Sequence, residues 1–258
     1  RVDAVYDYLL SINMRPVVEL SWMPAALAAN PRAHVWCYKG GRSAPKSLEA
    51  WGAMVGAMAK HFVSRYGLAE VRQWAWELWN EPNCPPCIAS NVKPYFTPDG
   101  IFPPCAPAKS VRNPDYPAAC KPSPFTLDTY LALYNVTSRA LKAVDRALMI
   151  GGPSSEQLGW VVELREYAAR NGLGIDFLST HQYPGDPQVP NSVDGHSDTI
   201  LAAVAAAATS QLPLYITEYA VGNHDDASAA AGIVTYIPRL AQNGPALYSY
   251  WAFSDVFE

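Results

Sequence analysis

The chain is predicted to be an α/β protein built around a parallel sheet, and three observations carry that prediction. Apolar runs of strand length, rich in β-branched and aromatic residues, alternate with segments of helical period along most of the 258 residues. The runs are apolar throughout, as expected of strands covered on both faces. Two of them end on a glutamate that emerges just where the strand must stop. With 50% hydrophobic residues and a net charge of -4 the chain can bury a substantial core. It has no basic run that suggests a nucleic-acid surface and no run of the roughly 18 apolar residues that a membrane span needs.

Taken in order, residues 1–12 read as an amphipathic helix and 15–21 as the first strand. Residues 47–66 form a helix with Leu48, Trp51, Val55, Met58 and Phe62 on one face, stopping at Gly67. The second strand, 73–80, contains three Trp and is halted by Pro82, which cannot continue a ladder. A helix over 126–146 starts at a capping Thr, and strand three follows at 147–151. A helix over 157–170 stops before Asn171-Gly172; strand four is 175–183. A helix over 197–210 leads to strand five, 213–219. A helix over 226–242, kinked near Pro238, leads to strand six, 246–254.

Residues 82–124 break this rhythm. They hold 12 of the 23 prolines and 4 of the 5 cysteines, with neither helical nor alternating pattern. A structureless stretch of this length in a compact domain is usually functional or disordered, and this one follows Glu81 directly, so it reads as a lid or rim. Cys84-Pro-Pro-Cys87 with Cys105 and Cys120 admits a zinc site, but the later intervals are long. Four cysteines in a loop without a core read more naturally as two disulfides, formed in an oxidising compartment, with Cys37 unpaired. The sequon Asn135-Val136-Thr137 is compatible with a secreted or lumenal protein.

The chemistry is expected at the strand ends. Trp79-Asn80-Glu81-Pro82 and Ile216-Thr217-Glu218-Tyr219 each deliver a carboxyl group at the C-terminal end of a strand, the end on which parallel barrels mount catalytic groups. Two carboxylates flanking a bond are what glycosidic cleavage needs, although strand-end glutamates also occur as ordinary ion-paired rim residues. Glu19 and Glu77 lie inside strands and read as buried, hydrogen-bonded barrel residues. His34, His61, His196 and His224 show no ligand spacing, and no metal or cofactor is expected.

Three stretches bring a resemblance into view: Trp79-Asn80-Glu81-Pro82-Asn83, Ile216-Thr217-Glu218-Tyr219, and Ser249-Tyr250-Trp251-Ala252-Phe253-Ser254-Asp255-Val256-Phe257-Glu258. With Arg15 to Pro24 and His181-Gln182-Tyr183, they resemble the motifs of family 39 glycoside hydrolases, the β-xylosidase and α-L-iduronidase family. The resemblance implies a (β/α)8 TIM barrel filling residues 1–258, with 82–124 as an inserted loop. It also implies Glu81 as acid/base, Glu218 as nucleophile, and Asn80 as partner of the sugar 2-hydroxyl. His181 and Tyr183 would then act near Glu218, while Trp251 and Glu258 contact the sugar. An acid is helped by an apolar wall, which Trp76 and Trp79 are expected to supply.

In the family these glutamates close strands four and seven, whereas here they close the second and fifth visible strands. The chain is therefore expected to be an N-terminally truncated barrel showing strands three to eight. The implied substrate is a β-xyloside. An α-L-iduronidase-like activity is the alternative within the family, and a non-catalytic carbohydrate-binding protein the alternative outside it, disfavoured because both glutamates are present.

Overall fold

A computed structural model of the chain describes residues 2–32, 41, 43–83, 124–156, 159–182, 211–220, 231–234, 237–238 and 245–251. Six strands form one parallel sheet in sequential order: β1 (Val17–Leu20), β2 (Ala75–Leu78), β3 (Met149–Glu156), β4 (Phe177–Gln182), β5 (Leu214–Tyr219) and β6 (Leu247–Tyr250). Every neighbouring pair is parallel. The helices are α1 (Val2–Ser11), α2 (Leu48–Tyr66), the single turn α3 (Leu68–Val71), α4 (Pro124–Val144) and α5 (Val161–Arg170). All six expected strands are present. Among the described residues β1 and β6 are the sheet's two edges.

The sheet is strongly curled. Thr217 on β5 donates to Glu77 Oε1 on β2 over 2.9 Å, although β3 and β4 lie between these strands in the sheet. Such a contact needs the two inner faces to turn toward each other, as in a half-barrel. Hydroxyl and charged groups, among them Glu77, Ser154, Ser155, Ser179, Thr180 and His181, are buried along strands β2, β3 and β4. The apolar side chains of β1, β2 and β3 pack on those of α2 and α4.

Helix α2 shows how the outer layer is fastened. Ser47 caps it by accepting from the Ala50 N–H at 3.1 Å, and the Gly67 N–H closes its far end on the Val63 carbonyl. Its buried face is Trp51, Val55, Ala59 and Phe62; Leu48, expected on that face, is exposed instead. Trp51 Nε1 donates to Thr137 Oγ1 on α4 over 2.8 Å, which lets a large ring be buried without stranding its polar atom. Helix α1 leans on this layer through Tyr6, stacked on Trp74 at 5.4 Å and tilted against Phe62 at 4.8 Å. His61 is paired with Asp3 at 2.8 Å on the surface.

Three boundaries differ from expectation. Strand β3 continues past Gly151 to Glu156, so residues expected to be a loop carry inner-face side chains. Its register shifts between Gly152 and Ser155, which is how a strand containing Pro153 stays in a sheet. Helix α4 starts at Pro124, two residues before the expected capping Thr, because proline suits the first helical turn. Helix α5 starts at Val161, after the longer β3. The expected helix at 197–210 lies outside the described residues, and that at 226–242 is described only at the helical residues 231–234 and 237–238.

At Gly151 there is no room for a side chain, since a Cβ there would run into the Phe177 carbonyl and ring on β4. Phe177 cannot swing aside, being stacked on Tyr215 at 4.3 Å. Gly151→Ala is expected to cost about 1–3 kcal/mol, the usual penalty for overpacking. Urea unfolding measures it, and a loss below about 0.5 kcal/mol would mean that the two strands part easily.

Candidate active site

The chain leaves β2 through an unusual turn. Trp79 (φ 73°) and Glu81 (φ 43°) both occupy the left-handed region, which costs a non-glycine residue on the order of 1–3 kcal/mol. Packing holds them there. The Trp79 ring is fully buried, 6.0 Å from Trp22 and 6.4 Å from Trp51. The Glu81 N–H donates to the Ser154 carbonyl over 2.8 Å, and buried Pro82 ends the run. Ser154 is itself left-handed, at φ 53°. The turn aims the Glu81 side chain across the top of β3 toward β4.

There it meets two other groups. His181 Nδ1 on β4 lies 3.0 Å from Glu81 Oε1 and 3.3 Å from Glu218 Oε2 at the end of β5. The imidazole side chain is 1% exposed, while those of the two carboxylates are 13% and 15% exposed, so solvent reaches the acids and not the base between them. The other ring nitrogen, Nε2, is 3.0 Å from Ser154 Oγ. Burial alone would lower the pKa of His181. The hydrogen bond to Glu81 and the charges of Glu218, Glu81 and Glu77 outweigh it and push the pKa up to about 9. Near neutral pH the ring is therefore an imidazolium, donating from both nitrogens.

Below this group sits Glu77, 1% exposed, hydrogen-bonded by the hydroxyls of Ser179, Thr217 and Ser154. Burial raises its pKa; the positive charge of His181 and those three donors pull the other way. Glu77 is thus the buried, hydrogen-bonded residue expected from its position. Glu19 on edge strand β1 is hydrogen-bonded as expected, accepting from Ser21 Oγ, but keeps exposed surface; desolvation of its carboxyl group and the nearby charge of Glu77 still raise its pKa to about 7.

Asn80 is half-buried beside Glu81, and Trp251 stands exposed just past β6, its N–H donating to the Tyr219 carbonyl over 2.8 Å. Trp76 is displaced from its expected role. Its ring packs on Phe62 of α2 at 5.8 Å, one residue out of phase with inward-facing Glu77, so Trp79 but not Trp76 borders the strand end. Tyr183 and Glu258, and Cys84, Cys87, Cys105 and Cys120 with the pairing expected of them, lie outside the described residues. Ser154 was not singled out from the sequence. Gly151-Gly152-Pro153 reads as the end of a strand, and only the bulged continuation of β3 brings the serine under His181.

Glu81, His181 and Glu218 offer ligand atoms within 4.8 Å of one another. A metal there would have to displace the proton that His181 shares with Glu81. The arrangement more simply sets a buried imidazolium between two partly exposed acids, the kind of carboxyl pair that glycosidic cleavage uses.

The model of the glycosyl hydrolases family 39 matches residues 1–97 and 120–258. A β-xylosidase of Caldicellulosiruptor saccharolyticus is 34% identical over 274 residues, covering 100% of this chain and 49% of that protein. A β-xylosidase of Geobacillus stearothermophilus is 30% identical over 285 residues, covering 100% and 48%. Among solved structures, a family 39 enzyme from Xanthomonas axonopodis pv. citri superposes with a TM-score of 0.76 at 29% identity, covering 100% of this chain and 47% of that one. The chain thus spans about half the length of the relatives it matches.

Proposed function

Because the chain belongs to glycosyl hydrolase family 39, we propose that it carries the catalytic pair of a β-xylosidase that retains anomeric configuration, with Glu218 as nucleophile and Glu81 as acid/base. One observation carries the stereochemical part. The facing oxygens of the two acids lie within 4.8 Å. Retaining enzymes hold their carboxyl groups about 5–5.5 Å apart, inverting ones about 6.5–9.5 Å to admit a water between them.

In the first step a Glu218 oxygen bonds to the anomeric carbon while the Glu81 O–H protonates the departing glycosidic oxygen and the C–O bond breaks. In the second, Glu81 takes a proton from water, whose oxygen displaces Glu218 from the sugar. The imidazolium of His181 suits both steps, since it stabilises Glu218 as the anion that attacks and later leaves. Asn80 is placed to bond the 2-hydroxyl, where a hydrogen bond strengthens as charge develops on the ring. Residues 79–83, 181–182 and 217–220 contain no arginine or lysine. A sugar carboxylate would call for one, so the reading favours a xyloside over a uronide.

A panel of nitrophenyl glycosides tests this reading. Nitrophenyl β-xyloside is expected to turn over fastest, with β-xylose as the first product seen by proton NMR. The α-anomer as first product would rule out double displacement, and faster turnover of a uronide would replace the substrate.

A further inference from the structure

The catalytic pair accounts for Glu81, Glu218 and His181 but not for the buried Glu77 beneath them, and an ionisable group with 1% exposure is costly to keep unless it acts. We propose that Glu77 is a positioning residue for the reaction: acting through Ser154, it fixes the Nε2 side of His181 so that Nδ1–H is presented to both catalytic carboxylates. This inference rests on the reading of Glu81 and Glu218 given above.

The geometry is directional. Ser154 Oγ lies 3.0 Å from His181 Nε2 and also hydrogen-bonds Glu77. A serine hydroxyl has one hydrogen to give and lone pairs to accept with. If Ser154 gives its hydrogen to Glu77, it can only accept from His181, which requires a proton on Nε2. Were Glu77 absent, the hydroxyl could instead donate to a bare Nε2, leaving a neutral ring with a single proton. Glu77 therefore selects a ring protonated at Nε2 through one intervening oxygen, while the carboxylates of Glu81 and Glu218 hold the second proton at Nδ1.

The hydroxyls around Glu77 hold it in place and oppose the rise in pKa that its burial imposes. Thr217 donates to its Oε1 over 2.9 Å, and Ser179 and Ser154 donate as well. Ser179 is itself held, accepting the Ser154 N–H at 3.0 Å. The charged groups that act on His181 are Glu81 and Glu77 from the β2 segment, Glu218 from β5 and Glu19 from β1. Of these, Glu81 and Glu218 change charge or bonding during turnover. Glu77 takes no part in those bonds, so it can hold the Nε2 proton through Ser154 while the other two exchange theirs.

The test is a 15N NMR titration of the histidine rings in the protein, in Glu77→Gln and in Ser154→Ala, alongside the pH dependence of nitrophenyl glycoside hydrolysis. In the unaltered protein the His181 midpoint is expected near 9. In Glu77→Gln it should fall by about one to three pH units, the usual influence of one nearby opposite charge. Ser154→Ala, which leaves the buried charge but cuts the relay, should shift it in the same direction and decides the matter if the first variant does not fold.

In activity, the alkaline limb of kcat is expected to move down with the midpoint. At pH 8, kcat should drop on the order of tenfold or more while KM stays within about twofold, a pattern of misplacement and not of lost binding. Glu77→Asp, which keeps the charge, should recover part of both shifts. An unmoved His181 midpoint in both variants overturns the relay, and a moved midpoint with an unmoved kcat profile overturns its part in the reaction. The titration does not depend on which glycoside is hydrolysed, so it stands even if β-xylosides fail as substrates.

Discussion

Glu218→Gln is expected to lower kcat for a nitrophenyl β-xyloside by a factor of about 10⁵ or more, the scale of loss when a nucleophile is removed. The amide matches the carboxylate in size but has no anionic oxygen to bond to the anomeric carbon, and no glycosyl-enzyme can form. Folding should survive, because Glu218 is partly exposed and His181 keeps its shorter contact, the 3.0 Å one to Glu81. Hydrolysis rates combined with a thermal melt separate loss of chemistry from loss of structure. Activity within tenfold of the unaltered enzyme would remove Glu218 from the mechanism.

Glu81→Ala should behave differently, and the difference identifies the role. Losing a general acid costs about 10²–10⁴ in rate, but the cost depends on the leaving group. With a dinitrophenyl xyloside, whose leaving group needs no proton, the first step should stay fast and the glycosyl-enzyme should accumulate, seen as a burst. Azide, small and anionic, can enter the space left by the side chain, attack the intermediate without base assistance and restore turnover. The product should be the β-glycosyl azide, set by two inversions. Neither burst nor azide rescue, with full activity retained, would show that Glu81 is not the acid/base. Alanine keeps the left-handed backbone at this position, so no relief of strain confuses the comparison.

The parallel sheet and its two strand-end acids were legible because each depends on signals local in sequence. Apolar runs stop at Pro82 or after Tyr219, and each carries its glutamate at its C-terminal end, Glu81 just past β2 and Glu218 as the next-to-last residue of β5. What was not legible depends on neighbours distant in sequence. Trp76 and Trp79 look alike in the sequence, yet only the left-handed turn at Trp79 brings one of them to the strand end. Ser154 hides behind Gly151-Gly152-Pro153, a triplet that ordinarily ends a strand, because only pairing with β4 across a shifted register carries β3 onward. Glu19 and Glu77 have the same strand position, paired with each other in the β1–β2 register, but one is on an edge strand and the other is enclosed by β3, β4 and β5. Edge or centre is a property of the finished sheet.

The order of the strands has a kinetic side. Each strand pairs with the next in sequence, so the sheet can grow by adding neighbours, a route with modest loop-closure cost at every step. The groups of the site are joined on another scale: His181 meets Glu81 across 100 residues of chain, and Thr217 meets Glu77 across 140. These contacts cannot form until β3 and β4 have filled the gap and bent the sheet. The polar interior therefore depends on the two middle strands being in place, which the outer helical layer against β2 does not. Substitutions that slow the docking of β4 would delay the appearance of activity without touching a reacting atom.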